Sequence, residues 1–428
     1  MSVSQQRKIN VAVIGGGMGG LCVAIGLLQH PHVNVQIYEA AQKFAEIGAG
    51  VAFGPNAQRA LQLISPETEQ AYLRQATHHA SKETEKIWFE FRFGTPSRDG
   101  ELITAPRNET GQTTVHRAKF LDEFIRLIPE KLAHFGKRLD RLDDKGIGKG
   151  VEMHFQDGTT ATADCVIGAD GVHSAVRKHL LGADHPALSA KFSGCVAYRG
   201  IISMEKATEV LGERYAQTST IWCGNDGNIT TYPIDHGKML NIAAIGANYK
   251  DWEGAWVQNI GVEKLKRDFA SWGANAQKIV GLLDNPETLA YSIWDLPSAP
   301  AYWRGNVVMM GDAAHASTPF QGQGAGQAIE DAYVLESLFE VISEPTEIPK
   351  VFQAYDKVRR SRTQRVVTTS LEAIEIAALR APGIGADLEA LRDNLNWRMD
   401  WMWHRDVKGE RDEAVMYFEE LVAGRDIE

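Results

Sequence analysis

Cysteine is scarce in this sequence. Its 428 residues include four cysteines, Cys22, Cys165, Cys195 and Cys223, and no two of them have C-x-x-C spacing. Such a scattered set is typical neither of a disulfide framework nor of a zinc site. The sequence therefore predicts reduced thiols in or near the core of a cytoplasmic protein, and no bound metal.

Long apolar runs and an excess of positive charge are absent as well. The first ten residues are polar, so no secretory signal is visible, and no uninterrupted apolar run approaches the length that spans a bilayer. The formal net charge of -10 argues against non-specific binding to nucleic acid or to an anionic membrane. With 44% hydrophobic residues, the chain can bury a large core, which we expect to form two lobes.

A glycine-rich turn near the N-terminus is the element around which the chain is organised. Gly15, Gly17 and Gly20 fit G-x-G-x-x-G between an apolar run typical of a strand and an Ala/Leu-rich helical pattern. In that context the glycines permit a tight turn and let the backbone approach a pyrophosphate at the helix N-terminus. A second apolar run ends at Glu39, where a Rossmann unit places its ribose-binding acid. These features predict a dinucleotide-binding α/β lobe.

Two further predicted strands end in an acid. One ends in Gly168-Ala169-Asp170-Gly171, and the other ends in Gly311-Asp312 and leads into a loop that runs from Pro319 to Gly326. Acids at these strand tips lie where open α/β sheets bind ligands, and Asp312 could accept hydrogen bonds from a polyol chain. The glycines after Pro319 leave backbone N–H groups bare at a helix start, which suits a ring edge that becomes anionic on reduction.

The middle of the chain has a different pattern. Between about residues 192 and 296, four stretches alternate between polar and apolar residues and are rich in β-formers. They predict an antiparallel sheet inserted into the nucleotide-binding lobe. We therefore divide the chain into a nucleotide-binding lobe in two parts (1–190 and 297–380), a substrate-binding sheet domain (191–296) and C-terminal helices (381–428).

Helical patterns are present in both halves of the chain. Residues 46–62 are expected to begin as a glycine-rich loop and to end as a helix. In the tail, one or two helices carry Trp397, Trp401 and Trp403, which we expect to pack against the body, with a partner surface as the alternative. Other helices are predicted over residues 118–135, 262–283, 326–339 and 348–379.

The three motifs, in this order and spacing, resemble those of the single-component FAD-dependent aromatic hydroxylases. The likeness covers nearly all of residues 9–365 and is greatest to the salicylate hydroxylases and their fungal relatives. It implies an α/β fold with a Rossmann-like FAD-binding domain and an inserted antiparallel substrate domain. It also implies FAD as the cofactor, NADH or NADPH as a transient co-substrate, and O2 as the oxidant.

The resemblance further implies roles for individual residues around FAD. Glu39 would bind the adenosine ribose, Arg117 would lie by the pyrophosphate or the flavin edge, and Asp312 would hold the ribityl chain. Asp170 and Gly171 would serve both FAD and the transient docking of the nicotinamide. The backbone that would line the flavin belongs to Ala52, Gly324 and Ala325.

Two residues of the inserted sheet are candidates for catalysis and substrate binding. Arg199 is a charge inside an otherwise apolar strand, and a buried arginine needs a carboxylate or phenolate partner. Tyr232 could offer its hydroxyl to the same ligand. In the polyketide-hydroxylase branch of the family an Arg and a Tyr in matching motifs hold the substrate phenolate, so the resemblance implies that role here. The alternative is that Arg199 pairs with an internal acid and that Tyr232 packs in the sheet.

One position departs from the family's pattern. Bacterial salicylate hydroxylases and the polyketide branch tend to carry a histidine directly after the proline of the flavin loop, whereas here Phe320 follows Pro319. We therefore expect Pro319 and Phe320 to form an apolar wall of the substrate pocket, and the base that would ionise the phenol stays open. His315, in the Gly-Asp motif, is expected to be structural.

The resemblance implies an enzyme that hydroxylates a small phenolic acid of the salicylate type. With salicylate itself, attack at the carboxyl-bearing carbon would release CO2 and leave catechol. The alternatives are a hydroxylase or dearomatising monooxygenase of a larger phenolic or polyketide substrate, a flavin-dependent reductase, and a redox-sensing FAD protein. The sequence leaves open whether the protein is a monomer or a homodimer.

Overall fold

The nucleotide-binding lobe is built on a six-stranded sheet. The computed structural model describes residues 7–44, 50–79 and 81–424, so residues 46–49 of the predicted glycine-rich loop lie outside the described residues. Neighbouring strands run parallel except for the pair at one edge. The three strands that carry the glycine and Gly-Asp motifs are neighbours near the centre of the sheet. From edge to edge, with strands numbered along the chain, the sheet consists of β19 (Trp303–Arg304), β20 (Val307–Met309), β12 (Cys165–Gly168), β1 (Ile9–Ile14), β2 (Val33–Tyr38) and β8 (Ala133–His134).

Helices cover this sheet because its central strands are apolar on both faces. The glycine turn leads into α1, which packs on α11 so closely that a Cβ on Gly19 would lie 3.1 Å from the Cβ of Ala328. The helices are α1 (Met18–Leu27), α2 (Pro55–Ile64), α3 (Pro66–Gln75), α4 (Arg117–Ile125), α5 (Ala175–Leu181), α6 (Met204–Leu211), α7 (Glu213–Ala216), α8 (Val262–Asp268), α9 (Ala274–Gly281), α10 (Asp312–His315), α11 (Gly324–Val341), α12 (Ile348–Ala377), α13 (Leu388–Trp397), α14 (Asp400–Trp403) and α15 (Val407–Val422).

The predicted inserted sheet is present and is larger than its own segment. Two strands from residues 90–104 extend it, and one of them, β5, pairs in parallel with β14. All other pairs in this sheet are antiparallel. Its strands are, in order, β17 (Val257–Gln258), β18 (Ala290–Asp295), β13 (Lys191–Ser203), β16 (Met239–Gly246), β15 (Gly227–Ile234), β14 (Thr220–Gly224), β5 (Glu90–Phe93) and β6 (Leu102–Thr104).

Two small antiparallel sheets complete the strands. One is formed by β9 (Leu139–Asp144), β10 (Val151–Phe155) and β11 (Thr160–Ala163), and the other by β3 (Gly50–Phe53), β7 (Thr113–His116) and β4 (Thr77–His78). The second one lies next to the large sheet, since the hydroxyl of Thr114 donates a hydrogen bond to the carbonyl of Pro233. The division of the chain into four segments stays a prediction.

Two predicted helices were too long. The helix expected over 118–135 ends at Ile125, ahead of Pro129, whose ring disfavours helical backbone in the residue before it. The helix expected over 262–283 is broken into α8 and α9, because the N–H of Gly273 bonds to the carbonyl of Gly94 on the large sheet. The two long helices α11 and α12 are confirmed, and their ends lie within two residues of the predicted ones.

Only some of the tail tryptophans pack against the body as expected. Trp403 is fully buried, whereas Trp397, the last residue of α13, is 71% exposed. Leu391 and Leu395 supply the buried face of that helix, so Trp397 lies off it. All four cysteines are free and buried. Within the described ranges, every helix is too short or too polar to cross a membrane.

Candidate active site

The glycine turn has the geometry that a dinucleotide requires. A Cβ on Gly15 (φ 103°) would stand 2.3 Å from the carbonyl oxygen of Ala169, and one on Gly20 would stand 2.0 Å from the carbonyl oxygen of Gly15. Gly17 is different, because no described atom lies within 4 Å of where its Cβ would be. Two glycines therefore allow the chain to close on itself, and the third leaves open space at the N-terminus of α1, where a pyrophosphate fits.

Glu39 lies at the tip of β2 beside this turn. Its carboxylate accepts hydrogen bonds from the N–H groups of Gly16 and Ala41, both at 2.7 Å, and each oxygen keeps a lone pair for another donor. A polar cavity of about 240 Å³ opens next to it. Gly15, Gly17, Glu39, Asp170 and Gly171, five of the residues predicted to bind the cofactor, line this cavity.

Asp170 has a structural task in the same cavity. Its carboxylate accepts hydrogen bonds from the Ser174 hydroxyl and from the N–H groups of Ala175 and Val176, so it caps α5. Burial raises the pKa of Asp170, although these bonds act in the opposite direction. A direct role in binding stays a prediction, since both carboxylate oxygens already have donors.

Asp312 is exposed at the start of α10 and faces another helix N-terminus. A Cβ on Gly324, the first residue of α11, would be 4.0 Å from Asp312 Oδ1. A buried hydrogen bond fixes the turn that carries Asp312: the N–H of Gly311 donates to Asp331 Oδ2 at 3.0 Å. His315 is buried and hydrogen-bonded to the same oxygen at 2.6 Å, which confirms that it is structural.

These two helix starts fit FAD. The first turn of α11, which includes Gly324 and Ala325, contains no acidic side chain, so its N–H groups and helix dipole can meet an anionic ring edge. Asp312 offers free acceptors beside it, while the glycine turn and Glu39 form a separate cradle at the tips of β1 and β2. The residues present therefore match a ligand with a ring system at one end and an adenosine diphosphate at the other.

A second cavity, of about 190 Å³, lies between the large sheet and the flavin loop. One face of the sheet forms its wall, because side chains alternate along each strand and Arg199, Ala243, Thr230, Ile221 and Phe91 are paired across neighbouring strands. The remaining walls are mainly apolar and aromatic, with Gln321 and Arg398 as the polar exceptions. Among the described residues around this cavity, we find two arginines and no aspartate, glutamate, histidine or lysine.

Arg199 and Tyr232 share this wall, as predicted. Water can reach the Arg199 side chain through the cavity, but protein otherwise surrounds it. This partial burial lowers the pKa of Arg199. Its guanidinium lies 5.4 Å from the centre of the Tyr291 ring and makes no hydrogen bond or ion pair to another described residue. The predicted alternative, an internal acid as partner, is thus not seen in the described part of the chain.

The Tyr232 ring is fixed by its neighbours. It lies edge-on to Phe89, and a Cβ on Gly50 would be 2.4 Å from its Cε2 atom. Burial raises the pKa of Tyr232 to about 12, against the opposing charge of Arg199. The hydroxyl therefore stays protonated at neutral pH and can donate a hydrogen bond beside a cation.

Three of the other predicted residues also lie around the cavity. Ala52, on β3, Pro319 and Phe320 line it, and Phe320 packs against the apolar cluster that contains Ile293 and Ile374. Arg117 begins α4 directly after β7, near enough to Arg199 for its charge to lower the pKa of that arginine. The predicted wall and flavin edge thus surround one space, while their roles stay predictions.

The C-terminal helices contribute residues that sequence reasoning missed. Leu395, Arg398, Met399 and Trp403 line the cavity, and Trp88 lines it from the segment before β5. For the tail, the sequence predicts only one or two helices whose tryptophans pack against the body, and no residue of the substrate pocket. An arginine set among Leu395, Met399 and aromatic residues is the signal that could have pointed to an enclosed site.

Comparison with known proteins agrees with this site. An FAD binding domain model matches residues 274–370. The chain is 49% identical to a 6-methylsalicylate 1-monooxygenase of Aspergillus terreus over 97% of this chain and 94% of that protein. It is 37% identical to a salicylate hydroxylase of Pseudomonas putida, over 96% and 95% of the two chains. A solved salicylate hydroxylase substrate complex, 33% identical, superposes with a TM-score of 0.85 over 95% of this chain and 98% of that one.

Proposed function

This chain belongs to the family of FAD-dependent monooxygenases that includes the salicylate hydroxylases, and on that premise we propose that it hydroxylates an ortho-hydroxybenzoate at the carboxyl-bearing carbon. The observation that carries this proposal is the charge of the second cavity. Its described lining holds two guanidinium groups and no carboxylate, within apolar and aromatic walls. A cationic site of that kind, without a carboxylate, favours a flat anion.

The size of the cavity supports a substrate with one ring. An apolar cavity of about 150 Å³ accommodates benzene, so 190 Å³ suits a single ring with small substituents. We therefore propose 6-methylsalicylate and salicylate as the first substrates to test. This volume favours a one-ring acid over the larger phenolic and polyketide substrates.

FAD, when bound, supplies the oxygen transfer from O2 after reduction by NADH or NADPH. The chain's own residues bind and orient the substrate. Arg199 favours the ionised phenol by its charge, and the protonated hydroxyl of Tyr232 donates a hydrogen bond to the same oxygen. An ionised phenol makes the ring a stronger nucleophile. Trp88, Phe89 and Phe320 exclude water from the reacting ring.

The proposed reaction balances without another reactant. An ortho-hydroxybenzoate anion, NAD(P)H, O2 and two protons give a catechol, CO2, NAD(P)+ and water. One oxygen atom forms the new ring C–O bond as the ring–carboxyl bond breaks, and the other oxygen atom leaves as water. The electron pair for that water comes from the nicotinamide.

The test is NADH and NADPH oxidation by the FAD-loaded protein in air, with and without each acid, followed by separation of the products. We expect 6-methylsalicylate to stimulate oxidation and to give 3-methylcatechol and CO2. Stimulation that yields only hydrogen peroxide would contradict hydroxylation of that acid and return the larger phenols as candidates. Turnover that persists without O2 would instead indicate a reductase.

We also propose that the protein works as a monomer or homodimer in the cytoplasm. The four free, buried cysteines are consistent with a reducing compartment. Size-exclusion chromatography of the FAD-loaded protein, coupled to light scattering, measures the oligomeric state, and a tetramer or larger would contradict this proposal.

A further inference from the structure

The substrate cavity has a second guanidinium that the proposed function does not yet use. Arg398 follows directly after α13 and lines the same cavity as Arg199. Two hydrogen bonds hold it in place, from Nη1 to Asn394 Oδ1 and from Nη2 to the carbonyl oxygen of Thr369, each at 2.9 Å. A guanidinium has five N–H donors, so three of them have no acceptor among the described residues: the buried Nε–H and one N–H each on Nη1 and Nη2.

Arg398 lacks an anionic partner. In the described part of the chain, no carboxylate lies within ion-pair distance of its nitrogens, and its buried Nε has no hydrogen-bond acceptor. Burial lowers the pKa of Arg398, and the charge of Glu372, an exposed residue of α12, acts against this. A largely buried cation with unused donors costs free energy unless a ligand supplies the missing charge.

The position of Arg398 relates it to the flavin loop. The carbonyl of Thr369 that accepts from Arg398 also accepts from Gln321 Nε2 at 3.0 Å, and Gln321 closes the turn that begins at Pro319. Arg398 therefore lies on the helical wall of the cavity beside that turn. Arg199 and Tyr232 lie on the wall formed by the large sheet.

We propose that Arg398 binds the carboxylate of the substrate while Arg199 and Tyr232 bind its phenolate oxygen. This inference rests on the proposed function. A carboxylate matches a guanidinium fork that still has several N–H groups to give, whereas a single phenolate oxygen is suited to one N–H and the adjacent Tyr232 hydroxyl. Two cations on two walls would also fix the rotation of the ring in its plane. Arg398 is thus a positioning and specificity-determining residue for ortho-hydroxybenzoates.

The test uses three ligands that separate the two anionic groups. The FAD-loaded protein and its Arg398→Ala variant are titrated, with the flavin spectrum as the readout, with 6-methylsalicylate, with 2-methylbenzoate, which lacks the hydroxyl, and with 3-methylphenol, which lacks the carboxylate. We expect Arg398→Ala to weaken binding of both acids by about 10- to 150-fold, the range for a lost charge-assisted hydrogen bond, and to leave 3-methylphenol within twofold.

Two further variants keep the result interpretable. Arg398→Lys keeps the charge without the fork and should recover part of the affinity for the acids. Arg392→Ala removes an exposed arginine of α13, the helix that ends directly before Arg398; Arg392 lies outside the cavity, so this variant should bind all three ligands as the parent does. FAD content and melting temperature establish that each variant is folded, and Arg398→Lys carries the test if Arg398→Ala is not.

The unfavourable outcomes are distinct. Two outcomes would overturn the role of Arg398 and leave the proposed function standing. In the first, Arg398→Ala weakens the binding of all three ligands equally. In the second, the parent binds both acids and Arg398→Ala binds them with unchanged affinity. A parent that binds 3-methylphenol but neither acid would overturn both proposals together.

Discussion

Replacing Glu330 by Gln should destabilise the nucleotide-binding lobe although the side chain keeps its size and its number of heavy atoms. Glu330 is a fully buried residue of α11, and its carboxylate accepts five hydrogen bonds, all from donors on Asn56, Gln327, Arg359 and Arg362, at 2.6–3.0 Å. A glutamine in either amide orientation turns an NH2 group toward at least one of these donors. It also removes the negative charge that the two arginines face.

The size of the effect can be worked out from this arrangement. Breaking a buried charge pair from one side costs about 3–5 kcal/mol. Unfolding entropies of roughly 2.1 cal/mol/K per residue give about 0.9 kcal/mol/K for the 428 residues, so the melting temperature should fall by about 3–6 °C. If the lobe unfolds separately, its smaller entropy makes the shift larger.

Acidity provides an independent check on the same group. Burial alone would raise the pKa of Glu330, but the charges of Arg362 and Arg359 outweigh it and lower the pKa to about 2, from an ordinary value of 4.5. A carboxyl with a lowered folded-state pKa contributes stability above its unfolded pKa and loses it as the pH falls toward the folded value. The difference in melting temperature between parent and Glu330→Gln should therefore shrink below about pH 4.5.

The assay is thermal unfolding by circular dichroism and by flavin release, at pH 7 and at decreasing pH. Glu413→Gln is the control, since Glu413 is 55% exposed and lies 3.9 Å from Arg405, a pair that should contribute about 0–1 kcal/mol. If Glu330→Gln melts within 1 °C of the parent at pH 7 while the assay resolves known shifts, the buried charges do not support this lobe as described.

The remaining predictions concern the two ligand sites. Arg199→Ala should retain FAD but raise the KM for the phenolic acid by about 10- to 150-fold; steady-state kinetics with unchanged KM would remove Arg199 from the site. Gly50→Ala places a methyl group 2.4 Å from a ring atom of Tyr232, and the displaced hydroxyl should lower kcat roughly 100-fold; a parent-like kcat would show that the tyrosine position is not critical. Gly17→Ala meets no described atom and should fold, yet bind FAD more weakly because the methyl group takes the pyrophosphate's space; equal flavin retention on a desalting column would argue against that placement.

Several parts of the site could be predicted because they depend on neighbouring residues along the chain. The glycine turn needs backbone freedom at Gly15 and Gly20, and the structure places both against carbonyl oxygens. The resemblance to the polyketide-hydroxylase branch implied that Arg199 and Tyr232 serve one ligand, and the register of the paired strands puts both on one face of the sheet. The FAD-dependent monooxygenase family followed from motifs of the same local kind.

Other parts could not be predicted, since they depend on which distant surfaces meet. The alternating pattern over residues 87–101 indicates strands, but the addition of β5 and β6 to the inserted sheet depends on pairing with β14, more than 100 residues away. In the tail, the pattern predicts one or two helices but not the surface that they cover. Trp397 is therefore expected to pack against the body, whereas in the structure it is exposed.

The amino-acid sequence by itself determined the nucleotide-binding turn, the order of the motifs and four of the eight strands of the inserted sheet, because short-range backbone geometry and side-chain period specify them. Only the tertiary structure decided that Arg398 from the tail shares a cavity with Arg199 from the sheet. A charged residue near a helix end is compatible with solvent or with an enclosed site. Long-range packing selects between them, because it determines which side chains are taken out of water together.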